Sequence, residues 1–178
     1  MSNQVYANNV TKFYDLPLLM EWLTLSDETV PSNDLTYLIP FNIINPATPE
    51  YPGIVEFNLL GTAFSILKSG MYSINVNVGY KSLTTVTPPT LPVPIESNIN
   101  LYITLTRSPQ FTDLVLANNK LNCPAQSSTT EFNVVNISAV TYLQVGDILR
   151  THFINNDASG GTTHLLSPST GLIISRIN

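Results

Sequence analysis

The chain has 178 residues, of which 43% are hydrophobic and 11% charged, with a net charge of −5; an ordinary soluble domain carries about 25% charged residues. Its seven basic residues, Lys12, Lys68, Lys81, Arg107, Lys120, Arg150 and Arg176, never cluster. That argues against nucleic acid and against a polybasic contact with an anionic membrane, both of which need a basic patch.

The length suits one domain, long enough to bury roughly 70% of its extended-chain surface. Abundant Thr, Asn, Val and Ile, with 13 Pro and little charge, favour strands joined by polar turns over helices. The single cysteine, Cys123, excludes an intrachain disulfide and suits a reducing assembly compartment. MSNQVYANN lacks the basic and apolar regions of a signal peptide, and no run approaches the ~18 apolar residues of a membrane span. The expectation is a chain that reaches the outside of a cell, if it does, by lysis or virion release.

Residues 1–35 differ from the rest and are read as an N-terminal arm or anchor, with the domain proper spanning 36–178. DLPLLMEWLTL (Asp15–Leu25) gathers leucines around Trp22, the one tryptophan. It is compatible with a short helix capped by Asp15 or with an extended segment packed on the domain. TYLIPFNII (Thr36–Ile44) predicts a strand with an edge or bulge at Pro40. Asn45–Gly53 is a breaker-rich loop, and Ile54–Leu60 a strand ended by Gly61. FSILKSGMYSINVNVGY (Phe64–Tyr80) predicts a short strand before Ser69-Gly70 and a long one after it. Phe64, Ile66, Tyr72, Ile74, Val76 and Val78 lie on the core side, with Ser73, Asn75 and Asn77 opposite.

Thr87–Glu96 has four prolines in ten residues and predicts a stiff exposed loop. Asn98–Arg107 alternates, with Ile99, Leu101, Ile103 and Leu105 on a core face and Asn98, Asn100, Thr104 and Thr106 on a wet one. Pro109–Thr130 reads as loop, with a possible strand at Asp113–Ala117. Thr130–Gln144 is apolar on both parities: Phe132, Val134, Val140 and Tyr142, but also Val135, Ile137 and Leu143. Val145-Gly146-Asp147 turns the chain into a strand at Ile148–Asn156. The loop DASGG follows, and Gly171–Ile177 is the closing strand. The sum is an all-β chain, a sandwich or barrel of eight to ten short strands. In a monomeric sandwich each outer face is polar. Apolar residues on both faces of Thr130–Gln144 and Gly171–Ile177 imply a sheet covered twice, most economically by another copy of the chain.

Three motifs in order carry a family resemblance. FSILKSGMYSINVNV places Phe64, Gly70, Tyr72 and Ile74 in register with an "F-x-I-x-x-x-G-x-Y-x-hydrophobic" strand. LQVGDIL (Leu143–Leu149) matches an "L-x-x-G-D-x-hydrophobic" turn, and STGLIISRI a closing "F-x-G-hydrophobic-hydrophobic-I" strand, with Ser169 where an aromatic is common. Over roughly 36–178 the chain resembles the tumour necrosis factor and complement globular-head superfamily of trimeric jelly rolls. The resemblance implies a sandwich of two antiparallel sheets of about ten strands, with Gly70, Gly146, Asp147 and Gly171 as turn and fold residues. It also implies a homotrimer whose interface draws on Tyr72, Ser73, Asn75, Asn77, Val135, Ile137, Leu143, Ile173 and Ile174. Related heads sometimes bind calcium through loop carboxylates; Asp113 and Asp157 are the loop candidates, without a dense oxygen cluster around them.

No catalytic constellation is visible. His152 and His164 form no His-x-His pair and no Glu follows either, which disfavours a jelly-roll metalloenzyme. Asp147 is better placed to accept backbone N–H bonds in its turn than to act as an acid or base, and Cys123, in LNCPAQ, has no activating partner near it in sequence. Phosphate loops, Cys-x-x-Cys pairs and Gly-x-Ser-x-Gly elbows are absent. No cofactor and no metal are expected. With no collagen-like stalk and no anchor, the reading is a non-enzymatic structural or recognition protein of the virion surface (minor capsid, vertex or fibre head). Its partners would be its own copies and a capsid neighbour or host receptor met through the loops Asn45–Gly53, Thr87–Glu96, Leu121–Thr130 and Asn155–Thr163. The alternative is a secreted or cell-surface ligand of the same fold.

Overall fold

The computed structural model describes residues 18–24, 26–31, 36–41, 43–44, 53–58, 60–84, 91–109, 112–125, 128–156 and 162–177. Within them the chain forms strands only: β1 Leu18–Leu23, β2 Glu28–Pro31, β3 Tyr37–Leu38, β4 Ile43–Ile44, β5 Val55–Phe57, β6 Phe64–Ile66, β7 Gly70–Leu83, β8 Ser97–Thr106, β9 Asp113–Cys123, β10 Asn133–Leu143, β11 Ile148–Asn155, β12 Thr162–Leu165 and β13 Gly171–Ile177. They make two antiparallel sheets, the jelly roll that the sequence predicts. In sheet A the long strand β7 has β10 along one edge, and β13 and β12 end to end along the other; β1 and then β4 lie beyond β13, and β2 beyond β12. Sheet B runs β5-β6-β11-β8-β9, with β3 also on β11. Pairing of strands far apart in sequence, such as β7 with β13, gives the Greek-key connectivity of such sandwiches.

The core lies between the sheets. Trp22 is fully buried, its ring edge-on to Phe64 at 5.0 Å, and Phe41 packs on the same ring at 6.0 Å. The core side expected for Phe64–Val78 is the one observed: Phe64, Ile66, Tyr72, Ile74, Val76 and Val78 are each at most 1% exposed. Burying each large apolar side chain contributes about 1.5–3 kcal/mol.

Several local expectations need correction. The described part of the 1–35 arm is woven into sheet A: β1 pairs with β13, β2 pairs with β12, and Trp22 belongs to the core. The segment is therefore extended, because its alternating Trp22 and Thr24 face inward. Thr36–Ile44 is not one strand. It splits around Pro40, which has no N–H for a ladder, into β3 on sheet B and β4 on sheet A. The stretch read as mostly loop is the 11-residue edge strand β9, held along β8 with a register shift at Ile103/Thr104. β12, beside the glycine-rich loop, was not anticipated.

The face of β8 opposite the core is only partly wet: Thr104 is 3% and Thr106 8% exposed. Thr104 Oγ1 meets His152 Nε2 at 2.8 Å, and the His152 ring stacks on Tyr102 at 4.6 Å. Arg150 donates to Thr106 at 2.6 Å, and Thr106 donates to Asp113. Side chains of neighbouring strands thus roof the two threonines. The loops Asn45–Gly53 and Asn155–Thr163 fall largely outside the described residues, as do residues 87–90 of Thr87–Glu96; in the described part of that loop, Leu91 and Val93 are 82% and 56% exposed.

Candidate functional site

The three sequence motifs converge at one corner. The Gly146 amide donates to the Ile66 carbonyl at 2.8 Å, and the Ile66 amide to the Asp147 carbonyl at 2.9 Å. The Val145 amide donates to Ser69 Oγ at 3.1 Å, and Arg176 Nη2 to the Ser69 carbonyl at 3.1 Å. A Cβ at Gly70 would lie 2.6 Å from Arg176 Nε, so a larger residue there would have to displace the Arg176 side chain. Asp147 does the work expected of it: its Oδ2 accepts the Gln144 amide at 2.8 Å. It also forms a two-pronged pair with Arg107, Nε to Oδ1 at 2.8 Å and Nη2 to Oδ2 at 2.6 Å, a partner that spacing could not reveal. Burial alone would push the Asp147 carboxyl up; the Arg107 hydrogen bonds, the Gln144 amide and the Arg107 charge together outweigh it and hold the carboxyl below its ordinary range.

This corner fixes the register of β10, β7 and β13, and so sets what sheet A shows on its outer face. Successive rows run Tyr142–Met71–Ile177, Val140–Ser73–Ser175, Ser138–Asn75–Ile173 and Asn136–Asn77–Gly171, and then Val134 beside Gly79. None of these residues is charged. Val140 is 63%, Val134 54%, Tyr142 51%, Ile177 42% and Met71 41% exposed. The middle rows are small and polar, and Asn75, Asn77, Asn136 and Ser138, with Ile137, line a shallow cavity of about 330 Å³. An uncharged face with a large apolar rim and short side chains at its centre can be closed over by another protein surface at little desolvation cost.

Of the residues expected at an interface, Ser73, Asn75, Asn77 and Ile173 lie on this outer face. Tyr72, Val135, Ile137, Leu143 and Ile174 lie on the opposite parity, inside the sandwich, and are each at most 8% exposed. Their side chains are used within the chain's own core. The large exposed residues of this face that the expectation did not include are Met71, Val134, Val140, Tyr142 and Ile177. The available signal was polar: Asn136 and Ser138 share the parity of Val134, Val140 and Tyr142, which marks it as the outward one. Ser169, the departure from the closing motif, sits over Gly79. The Gly79 amide donates to its carbonyl at 3.1 Å, and a Cβ on Gly79 would lie 2.5 Å from Ser169 Cβ.

The two histidines belong to different sheets, His152 in β11 with Thr104, His164 in β12 near Thr29 at 3.3 Å. Asp113 is paired with Arg150 at 3.6 Å. Among the described residues no three His, Cys, Asp or Glu side chains gather in a way that could hold a metal.

No protein-family model matches the chain, and no curated protein does. Solved structures do. Eiger TNF from S. frugiperda superposes with a TM-score of 0.60 at 13% identity, covering 91% of this chain and 93% of that one. Murine APRIL at pH 5.0 gives 0.61 at 13% identity, with 90% and 99% covered, and murine APRIL at pH 8.5 gives 0.55 at 16%, with 89% and 98% covered. At these identities the likeness establishes the fold: this chain is a TNF-like jelly roll over nearly its whole length.

Proposed function

We propose that the chain is a non-enzymatic homotrimeric jelly-roll protein with a structural or recognition role, placed on a virion surface as a minor capsid, vertex or fibre-head component. The observation that carries this reading is the outer face of sheet A: its outward rows across β10, β7 and β13, from Tyr142–Met71–Ile177 to Val134–Gly79, carry no charge and are rimmed by Met71, Val134, Val140, Tyr142 and Ile177. These five, with Ser73, Asn75, Asn77 and Ile173, form the proposed contact between copies around a three-fold axis. The loops between strands are then left for a capsid neighbour or host receptor.

Asn136-Ile137-Ser138 is a glycosylation sequon, and Asn136 is exposed at the centre of this face. A glycan there would sit between the copies, which supports assembly away from the secretory pathway. The second reading, a secreted or cell-surface recognition head, is favoured by the fold likeness to a TNF protein.

The test is the pair Val140→Asp and Tyr142→Asp, both at exposed positions. The account expects the double variant to run as a folded monomer with unchanged β-sheet circular dichroism, because a charge buried in an interface is costly. A double variant that still assembles like the parent would place the contact on another face. Antibody labelling of intact particles separates the two readings.

A further inference from the structure

The uncharged rows on the outer face of sheet A give way to a charged one. β7 continues past Gly79 to Lys81, which pairs with His164 on β12, and His164 pairs with Thr29 on β2. Their neighbours Tyr80, Ser82, Thr163, Leu165 and Val30 are buried inside the sandwich, so strand alternation turns Lys81, His164 and Thr29 outward. The row adjoins the proposed contact. Val134 lies beside Gly79, and Phe132, of the same parity and 48% exposed, stands at the entry to β10, where Asn133 pairs with Tyr80. A copy that covers Val134 and Phe132 reaches this row.

His164 is half-buried, its Nδ1 3.3 Å from Thr29 Oγ1 and its Nε2 3.4 Å from Thr162 Oγ1. Two charges act on the ring, Lys81 from β7 and Asp27 from the residue before β2. Asp27 is exposed, and its Oδ1 accepts the Ser167 amide at 2.8 Å. The carboxylate of β2 itself, Glu28, belongs to the other parity and takes the Tyr37 hydroxyl at 3.1 Å. Lys81 forms no ion pair among the described residues. A second cation in this row would meet Lys81 with only the exposed Asp27 to offset it.

We propose that His164 makes the contact between copies acid-sensitive: a proton taken up by its ring sets a second cation beside Lys81 at the border of the covered face and parts the copies. The inference rests on the reading of this face as the contact. In the free chain, burial and then the Lys81 charge already push the imidazole below its ordinary 6.5, against Asp27. A neighbouring copy removes more water from the ring and disfavours the charged form further. Assembly therefore prefers neutral His164, and one proton is taken up per chain released. The affinity between copies is full at pH 7.5 and falls as the pH drops through the free chain's value, which lies below 6.5. The consequence is a component that holds together at neutral pH and separates in acid.

The test is sedimentation of the full chain over a dilution series at pH 7.5 and pH 5.5, with circular dichroism at both to establish that the sheets stay folded. The parent is expected to dissociate at a concentration about fivefold higher at pH 5.5. His164→Gln, which cannot take up a proton, should show one midpoint at both pH values. His164→Arg, charged throughout, should hold the weaker association at both. A parent that is already a monomer at pH 7.5 removes the contact, and this device with it. A parent that assembles equally at both pH values, or a His164→Gln variant that keeps the full pH dependence, overturns the device and leaves the contact standing.

Discussion

Val134 and Val135 are adjacent on β10 and face opposite ways: Val135 is 1% exposed inside the sandwich, Val134 54% exposed on the outer face of sheet A. Val135→Ala should cost the isolated chain roughly 2 kcal/mol, the lost transfer energy plus a cavity. Val134→Ala should leave the diluted chain within about 0.5 kcal/mol of the parent yet weaken its assembly. Urea titrations at low concentration measure the first effect, and concentration-dependent sizing the second.

The Arg107–Asp147 pair closes the turn between the two sheets. Asp147→Ala strands the Gln144 amide and the guanidinium, and is expected to cost about 2 kcal/mol. The acid form tells the same story. Asp147 binds its proton less readily folded than unfolded, since its folded value is lowered from 3.8. Its contribution is therefore complete above pH 3.8 and fades as the pH falls through the folded value. An acid titration of the urea midpoint should show this loss in the parent and not in Asp147→Ala.

His152 is the matching case for a base. Burial pushes its imidazole below the ordinary 6.5, with the Asp113 charge opposing and the Arg150 charge assisting; His164 is lowered too, by burial and by Lys81, against Asp27. Neutral forms are favoured in the folded chain, so stability is full above pH 6.5 and falls as the pH drops through each folded value. His152→Gln, which keeps a partner for Thr104, should flatten part of the decline between pH 7.5 and 5; an unchanged slope would assign it to other groups.

Two glycines are required for different reasons. A Cβ at Gly79 would lie 2.5 Å from Ser169 Cβ, whereas Gly146 has open space around it but a φ of +87°. Gly79→Ala should cost about 1–3 kcal/mol by overpacking, and Gly146→Ala about 1–2 kcal/mol by left-handed strain. Ser169→Gly should rescue the first and not the second, as read from thermal melts.

Much of the fold was legible because alternation survives wherever one face is buried: the stripe from Phe64 to Val78 and the inward face of β8 read directly. β9 was hidden because its NNK centre carries no apolar period; an edge strand open to solvent needs none. β3 and β4 merged into one predicted strand because apolar residues on both sides of Pro40 concealed the switch between sheets. At the candidate site, bulky residues on both parities of β10 are legible in the sequence, and they are what the expectation of a doubly covered strand rests on. Which parity faces out depends on pairing with β7, a long-range register that the local sequence states only through Asn136 and Ser138.

The central claim is that sheet A is covered by two further copies of this chain, and light scattering on the purified protein at low micromolar concentration tests it most directly. The account predicts three times the 19.5 kDa chain mass, reduced to one chain mass by Val140→Asp with Tyr142→Asp. A parent protein that scatters as a monodisperse monomer at that concentration would contradict it.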